Sequence, residues 1–408
     1  MLAWYLEADS KQRRTLWAGS LGWMLDSMDT MLFALVLTPV MNDFALSERE
    51  AGVLGSLTLL SSSVGGIFFG VLADRLGRTR ALMASILVYS VFTAACGVSQ
   101  TLGQLAVCRV LLGLGMGGEW ATGAALISET WPARHRGKAL GLMQSSWAVG
   151  YAVAAVVTAL ILPRYGWRAV FFVGLLPALL TLWIRKAVPE PELWTQSRAA
   201  ATEGGMSRVL GDPAVLRRLT IAATVNAATM FAWWGLFTWI PRFLSVPLEK
   251  GGAGLDIVKT STWIVLMQAG MWLGYVSFGF ISDWFRPKPT YITYLFIAAA
   301  LVPLYARTRD STVLLVLGPL VAFFGTGYFT GFGVMTAELF PTRIRATAQG
   351  LTYNLGRTVS AVAPFAVGSL AVDHGLRVAF NMVAVAFLVA GLLAFLLPVQ
   401  GRKDLMAD

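Results

Sequence analysis

Apolar stretches of about 20 residues recur along the whole chain, and each is long enough to cross the hydrocarbon core of a bilayer. Lipid offers the backbone no hydrogen-bond partners, so such stretches must be helices. They fall near 16–41, 50–73, 80–100, 102–129, 138–162 and 167–187, and then near 216–246, 258–282, 288–307, 311–338, 346–371 and 376–398. Only 13% of the 408 residues are charged and 56% are apolar, whereas a soluble chain carries roughly 25% charged residues. The expected fold is an all-α membrane protein of twelve transmembrane helices. Soluble enzymes and nucleic-acid binders are excluded despite a net charge of +10.

The basic residues are distributed unevenly. With the N-terminus inside, 21 Lys and Arg fall on the cytoplasmic side and 9 outside, and cationic loops mark the cytoplasm. This predicts a multi-pass protein of the plasma membrane, the inner membrane of a bacterium, with both termini cytoplasmic. The first apolar run is too long for a signal peptide and contains Asp26 and Asp29, so it reads as a span. Cys96 and Cys108 match no metal spacing and read as buried free thiols.

The chain repeats itself at a constant offset of 209 residues. Gly70 and Asp74 pair with Gly279 and Asp283. Glu129, Pro132, Arg134, Arg136 and Gly141 pair with Glu338, Pro341, Arg343, Arg345 and Gly350, and Gly166, Arg168 and Phe171 with Gly375, Arg377 and Phe380. One register held over three separated segments indicates a tandem duplication: two pseudo-symmetric six-helix bundles, 1–187 and 216–408. Pro189, Pro191 and Gly204-Gly205 mark 188–215 as the cytoplasmic linker between them.

The loop after span two reads Gly70-Val-Leu-Ala-Asp74-Arg75-Leu-Gly77-Arg78-Thr-Arg80 and resembles the signature of the major facilitator superfamily. A degenerate copy, Gly279-Phe-Ile-Ser-Asp283-Trp-Phe-Arg286, follows span eight. The resemblance implies the major facilitator fold, with a gate and scaffold role for Gly70, Asp74, Arg75, Arg78, Glu129 and Arg134, and for Asp283, Glu338 and Arg343 in the second half. Span four carries Arg109-Val-Leu-Leu-Gly113-Leu-Gly115-Met-Gly117-Gly118-Glu119-Trp120, whose glycines let a neighbouring helix approach. Arg109 is close enough to the outer end of its span to snorkel there. Together with Gly22-Trp-Met-Leu-Asp26-Ser-Met-Asp29, Val188-Pro-Glu-Pro-Glu-Leu-Trp194 and Tyr353-Asn354-Leu-Gly356-Arg357, these motifs resemble the sialate:proton symporter family. That family includes carriers of sialic acid and of lactate-like monocarboxylates.

Asp26, Glu119 and Arg357 each lie about 15 Å from a span end at ~1.5 Å per residue, near the bilayer midplane. Asp29 is one turn from Asp26. Charges there cost ~2.5–3.5 kcal/mol each on insertion scales, which makes function the default inference. At the 209 offset their counterparts are Gly235, Thr238, Tyr328 and Ala148, so the scaffold is duplicated and the charges are not. Arg357 presents a planar fork for a carboxylate, with Asn354 and Tyr353 on its face. Gln144, Trp147 and Tyr328 are further candidates for contact with substrate. Asp26, Asp29 and Glu119 are the candidate proton carriers, the span-one pair first and Glu119, held by an arginine, as modulator.

These residues predict proton-coupled symport of a small organic anion, lactate or an acid sugar such as sialic acid, by alternating access. The alternative is a facilitator or exporter of a neutral or aromatic solute. Span five lacks the proline of drug:proton antiporters, and the two histidines lie in loops on opposite faces, so neither an antiporter of that branch nor an enzyme is expected. The expected partners are the anion, the proton and membrane lipid around a monomer, without metal, cofactor or nucleic acid.

Overall fold

The computed structural model describes residues 3–192, 211–340 and 345–398. Every regular element among them is helical. The spans are α1 (Ser10–Leu35), α2 (Glu48–Leu76), α3 (Arg78–Cys96), α4 (Leu102–Thr130), α5 (Ala133–Phe172) and α6 (Pro177–Ala187) in the first half. In the second they are α7 (Pro213–Phe237), α8 (Ile257–Phe285), α9 (Pro287–Arg307), α10 (Ser311–Leu339), α11 (Arg345–Ser360) and α12 (Leu376–Ala394). Ten helical stretches are long and apolar enough to cross a membrane, or eleven with the bent first one. One of them, Lys138–Ala187, has 50 residues, about 75 Å of helix and twice a bilayer core. Gly166 breaks it at φ 74°, ψ 175°, so it crosses twice, and the expected twelve spans are present.

Three spans are broken at or beyond their middle, each for the same reason. A proline ring clashes with the carbonyl four residues before it. The helices stop at Leu35, Phe237 and Ser360, four residues ahead of Pro39, Pro241 and Pro364. The chain then resumes as Leu37–Phe44, Ile240–Ser245 and Ala363–His374, the first of these bent by 48°. Pro303 and Pro319 sit inside unbroken helices.

The 209-residue register reappears as geometry. α2 and α8 begin and end 209 residues apart, as do α4 and α10. Their N-caps follow: Ser47 answers Asp256, and Thr101 answers Asp310. So do the left-handed turns, Gly166 with Gly375 and Gly77 with Arg286. Arg286 is the exception in chemistry, because it carries a side chain at φ 66°, ψ 149°, a region essentially reserved for glycine.

Call the end of the molecule that holds Ala3 and Pro398 the terminal face, and the other the far face. Within each half the helices pack mainly on one another; the halves meet where α2 crosses α11 and its continuation, and where α5 crosses α8. The first seam is tight: Phe365 N donates to Ser56 Oγ at 3.1 Å, and a Cβ at Gly52 would strike the Pro364 carbonyl. At the far face Arg242 pairs with Glu48 at 3.1 Å, and Thr38 meets Ser245 at 2.9 Å. Both contacts join the halves and close that end.

At the terminal face Arg78 pairs with Glu129 at 3.0 Å within the first half. Glu190, from the Val-Pro-Glu-Pro-Glu segment, accepts from Thr79 N at 3.1 Å and Arg80 N at 3.2 Å, an anion on a helix N-terminus. Lys11 stands 2.7 Å from Glu192 and holds that exposed carboxyl below its usual range. Arg75 is exposed, and Gly70 touches no other helix closely. Of the other expected gate residues, the side chains of Asp74, Arg134, Asp283 and Glu338, and all of Arg343, lie outside the described residues, as does most of the expected linker. Cys96 is buried, and Cys108 is half-buried rather than enclosed; both are free thiols.

Strain at Arg286 makes a prediction. Arg286→Gly should stabilise the protein by about 1 kcal/mol, the relieved strain of ~1–3 kcal/mol offset by glycine's extra chain entropy. Gly77→Ala should destabilise it by a similar amount. Thermal unfolding in detergent reads both.

Candidate substrate and proton site

Three buried acids gather inside the first half. Asp26 and Asp29 on α1 and Glu119 on α4 are each 0% exposed. None of their six carboxylate oxygens makes a hydrogen bond of good geometry among the described residues, and the polar group beside Asp29 is the Thr93 hydroxyl. Glu119 and Asp29 are both within electrostatic reach of Asp26. Tyr89 of α3, whose hydroxyl also has no partner among the described residues, faces all three. Glu119 reaches α1 because residue 22 is glycine: a Cβ there would strike Glu119 Oε1. Asp29 lies deeper in the half, beside Gly174. No arginine pairs with Glu119 among the described residues, contrary to the sequence expectation; its neighbours are acids and a tyrosine.

Arg357 enters from the second half. It is 2% exposed, and its Nε has no partner among the described residues. It lies within electrostatic reach of Asp26, so the one buried cation of α11 faces the acid cluster of the other half. Asn226 pins this part of α11 to α7, donating to the carbonyls of Thr352 at 3.3 Å and Tyr353 at 3.4 Å.

Aromatic side chains surround the charges. Tyr353 stacks on Trp120 of α4 with centroids 4.1 Å apart and planes within 10°. Gln144 of α5 fixes that indole, accepting from Trp120 Nε1 at 3.1 Å. Trp147 meets Trp23 at 4.7 Å, Trp233 at 5.7 Å and Trp234 at 6.1 Å. The Nε1 donors of Trp23 and Trp147 have no partner among the described residues. Donors without acceptors thus face the interface between the halves.

The structure therefore brings Arg357, Tyr353, Gln144 and Trp147 to that interface. Asn354 turns to Gly66 of α2, where its Oδ1 leaves no room for a Cβ, and donates to the Gly350 carbonyl at 3.0 Å. Tyr328 is not among them. It is fully buried inside the second half, its hydroxyl donating to the Thr229 carbonyl at 3.1 Å and its ring against Tyr291 and Phe387. The repeat explains this: Tyr328 fills the position that Glu119 holds in the first half. Arg109 does not snorkel; it is 3% exposed. Reading charges alone misses Trp120 and Asn226, although a buried amide in an apolar span is itself a signal.

The sequence profile of the Major Facilitator Superfamily matches residues 19–302. A probable 4-methylmuconolactone transporter of Cupriavidus pinatubonensis is 35% identical over 96% of this chain and 92% of its own length. The sialic acid transporter NanX of Escherichia coli is 32% identical, covering 94% of each chain. The crystal structure of a D-xylose-proton symporter superposes with a TM-score of 0.75 at 19% identity, over 94% of this chain and 97% of that one, a likeness of fold. The chain belongs to the Major Facilitator Superfamily. It is a membrane transporter and not an enzyme.

The contact of Gly22 with Glu119 gives a double-mutant test. Gly22→Ala overpacks the acid cluster and should destabilise the protein by ~1–3 kcal/mol. In a Glu119→Ala background the same change should cost less than half as much, because the obstructing carboxylate is gone. Thermal unfolding of the four proteins measures the coupling; additive costs would contradict the packing described here.

Proposed function

We propose that the chain is a proton-coupled symporter of a small organic anion. The observation that carries this is the division of buried charge: an arginine without a counter-ion in the second half, facing acids without cations in the first. Like carboxylates close together in a dry site cannot all stay ionised, so a proton is stored there. An anion bound at Arg357 then brings the charge that Asp26 would otherwise offer the guanidinium. Substrate and proton together leave the site nearly neutral when it changes sides. Asp26 is assigned the coupling role, because it is within electrostatic reach of Arg357 and of both other acids, with Asp29 and Glu119 sharing its proton.

The Arg357 fork suits a carboxylate bidentately, and the unmet indole donors of Trp23 and Trp147 point to the same chemistry. The parallel Trp120–Tyr353 pair favours a planar acid, aromatic or unsaturated, over a bulky acid sugar. The relatives' names, a muconolactone transporter and a sialic acid transporter, support an organic substrate without choosing between a planar acid and an acid sugar. The aromatic lining also suits the alternative, a neutral aromatic solute, which leaves Arg357 unexplained.

Transport proceeds by rocking of 1–187 against 216–408, joined by 188–215, in a monomer surrounded by lipid. The basic bias places the terminal face in the cytoplasm, so the closed far face looks outward. Gly70, Asp74, Arg75, Arg78, Glu129, Arg134, Asp283, Glu338 and Arg343 are assigned to the inner gate and scaffold.

Uptake of nicotinate, cis,cis-muconate, lactate and sialic acid into proteoliposomes tests this reading. An inward proton gradient should drive accumulation of at least one acid, and a protonophore should abolish it. Indifference to both overturns the coupling. Asp26→Asn should keep anion exchange and lose accumulation. Arg357→Lys should retain weak binding without transport, and wild-type affinity in Arg357→Ala would place the anion site elsewhere.

A further inference from the structure

One buried cation has no part in this scheme. Arg109 lies seven residues into α4 from the far face, about 10 Å deep. Its Nε and Nη1 have no hydrogen-bond partner among the described residues, and its guanidinium sits 4.0 Å from the centre of the Phe33 ring. It lines a cavity of about 20 Å³, room for one group the size of a water molecule. Both halves build the wall: Thr30 and Thr58 from the first, Trp234, Thr238 and Pro364 from the second.

A buried charge without a counter-charge is among the costliest features a protein can keep. A neighbouring carboxylate would relieve it, and none pairs with it among the described residues. The repeat sharpens the point. Thr238 stands where Asp29 stands in the first half, so a hydroxyl donor takes the place of an acid that would repel an anion. Gly318 is the counterpart of Arg109, so the cation, like the others, is present once.

We propose that this cavity is a second anion subsite, taking a small monovalent anion: the carboxylate head-group of the transported acid, or a free halide. The first source rests on the organic-anion reading above; the second does not. Pro364 lies seven residues beyond Arg357, about 10 Å along the helix, and Thr30 lies one turn beyond Asp26. An anion entering at the far face therefore meets Arg109 before Arg357. Because its wall comes from both halves, a bound anion holds them together and favours the closed far face.

The test uses the full chain in detergent, in gluconate buffer, with chloride or nicotinate added and thermal unfolding measured. The wild-type protein should gain stability with at least one of these anions; Arg109→Gln should lose the whole of a chloride gain and part of a nicotinate gain, the remainder being binding at Arg357. Without anion, Arg109→Gln should melt no lower than the wild type, since it removes an unpaired charge; a merely structural arginine would lower it. Arg109→Lys, which keeps the charge, should keep part of the gain. In an Arg357→Gln background nicotinate should still bind, about tenfold or more weakly, and adding Arg109→Gln should abolish that residue of binding.

A chloride shift lost in Arg109→Gln assigns a free halide, and a nicotinate shift that Arg109→Gln diminishes, without a chloride shift, assigns a carboxylate head-group. No shift in the wild type with either anion, or an equal shift in Arg109→Gln, overturns the subsite. Unchanged nicotinate affinity in Arg357→Gln instead overturns the central site, and leaves Arg109 to be judged by its own variant.

Discussion

Charge that lipid and protein both refuse to solvate is the constraint on which this molecule turns. Three carboxylates and two guanidiniums sit inside the membrane-spanning part, and none of the five is paired by a close ion bridge among the described residues. Insertion costs of ~2.5–3.5 kcal/mol apply to each, and only Arg109, against the Phe33 ring, has a packing contact that offsets part of its cost. Arg357 alone of the two cations lies in the other half from the acids, within reach of Asp26 across the interface, while Arg109 shares the first half with them. The charges therefore favour approach of the halves when a proton or an anion balances them, and resist it when neither is present.

The scaffold that carries them is symmetric and cheap by comparison. Matching caps and left-handed turns recur at one register, and helices of the two halves cross where small residues permit. Each proline that interrupts a span does so at the depth of the site or just beyond it, and the three broken spans, α1, α7 and α11, supply walls to the Arg109 cavity. Discontinuous helices free backbone groups only where protein surrounds them, so the break positions and the site positions coincide. The chemistry is carried by one copy of each helix: Glu119 against Tyr328, and Asp29 against Thr238.

Much of this is legible in the sequence, because period and repeat are strong signals. The spans, the duplication and the burial of Asp26, Asp29, Glu119 and Arg357 all follow from apolar runs and one offset. What is not legible depends on which way a helix faces. Tyr328 and Trp147 look alike in an apolar run, yet one packs within its own half and the other reaches across the interface. Glu119 reads as a partner for arginine until Gly22 shows that it presses against α1. Arg109 reads as a snorkelling cation because its depth is known from the sequence and its azimuth is not. Trp120 is found only when Tyr353 is seen lying on it.

The central claim is that anion binding at Arg357 and protonation of the acid cluster are one linked event. Calorimetry of the purified chain, binding whichever acid the uptake panel selects, tests it directly when repeated in buffers of different ionisation enthalpy. The buffer dependence counts protons taken up with the anion. The account predicts uptake of about one proton per anion near neutral pH, and binding without proton uptake in Asp26→Asn. Anion binding with no proton linkage in the wild-type protein would contradict it.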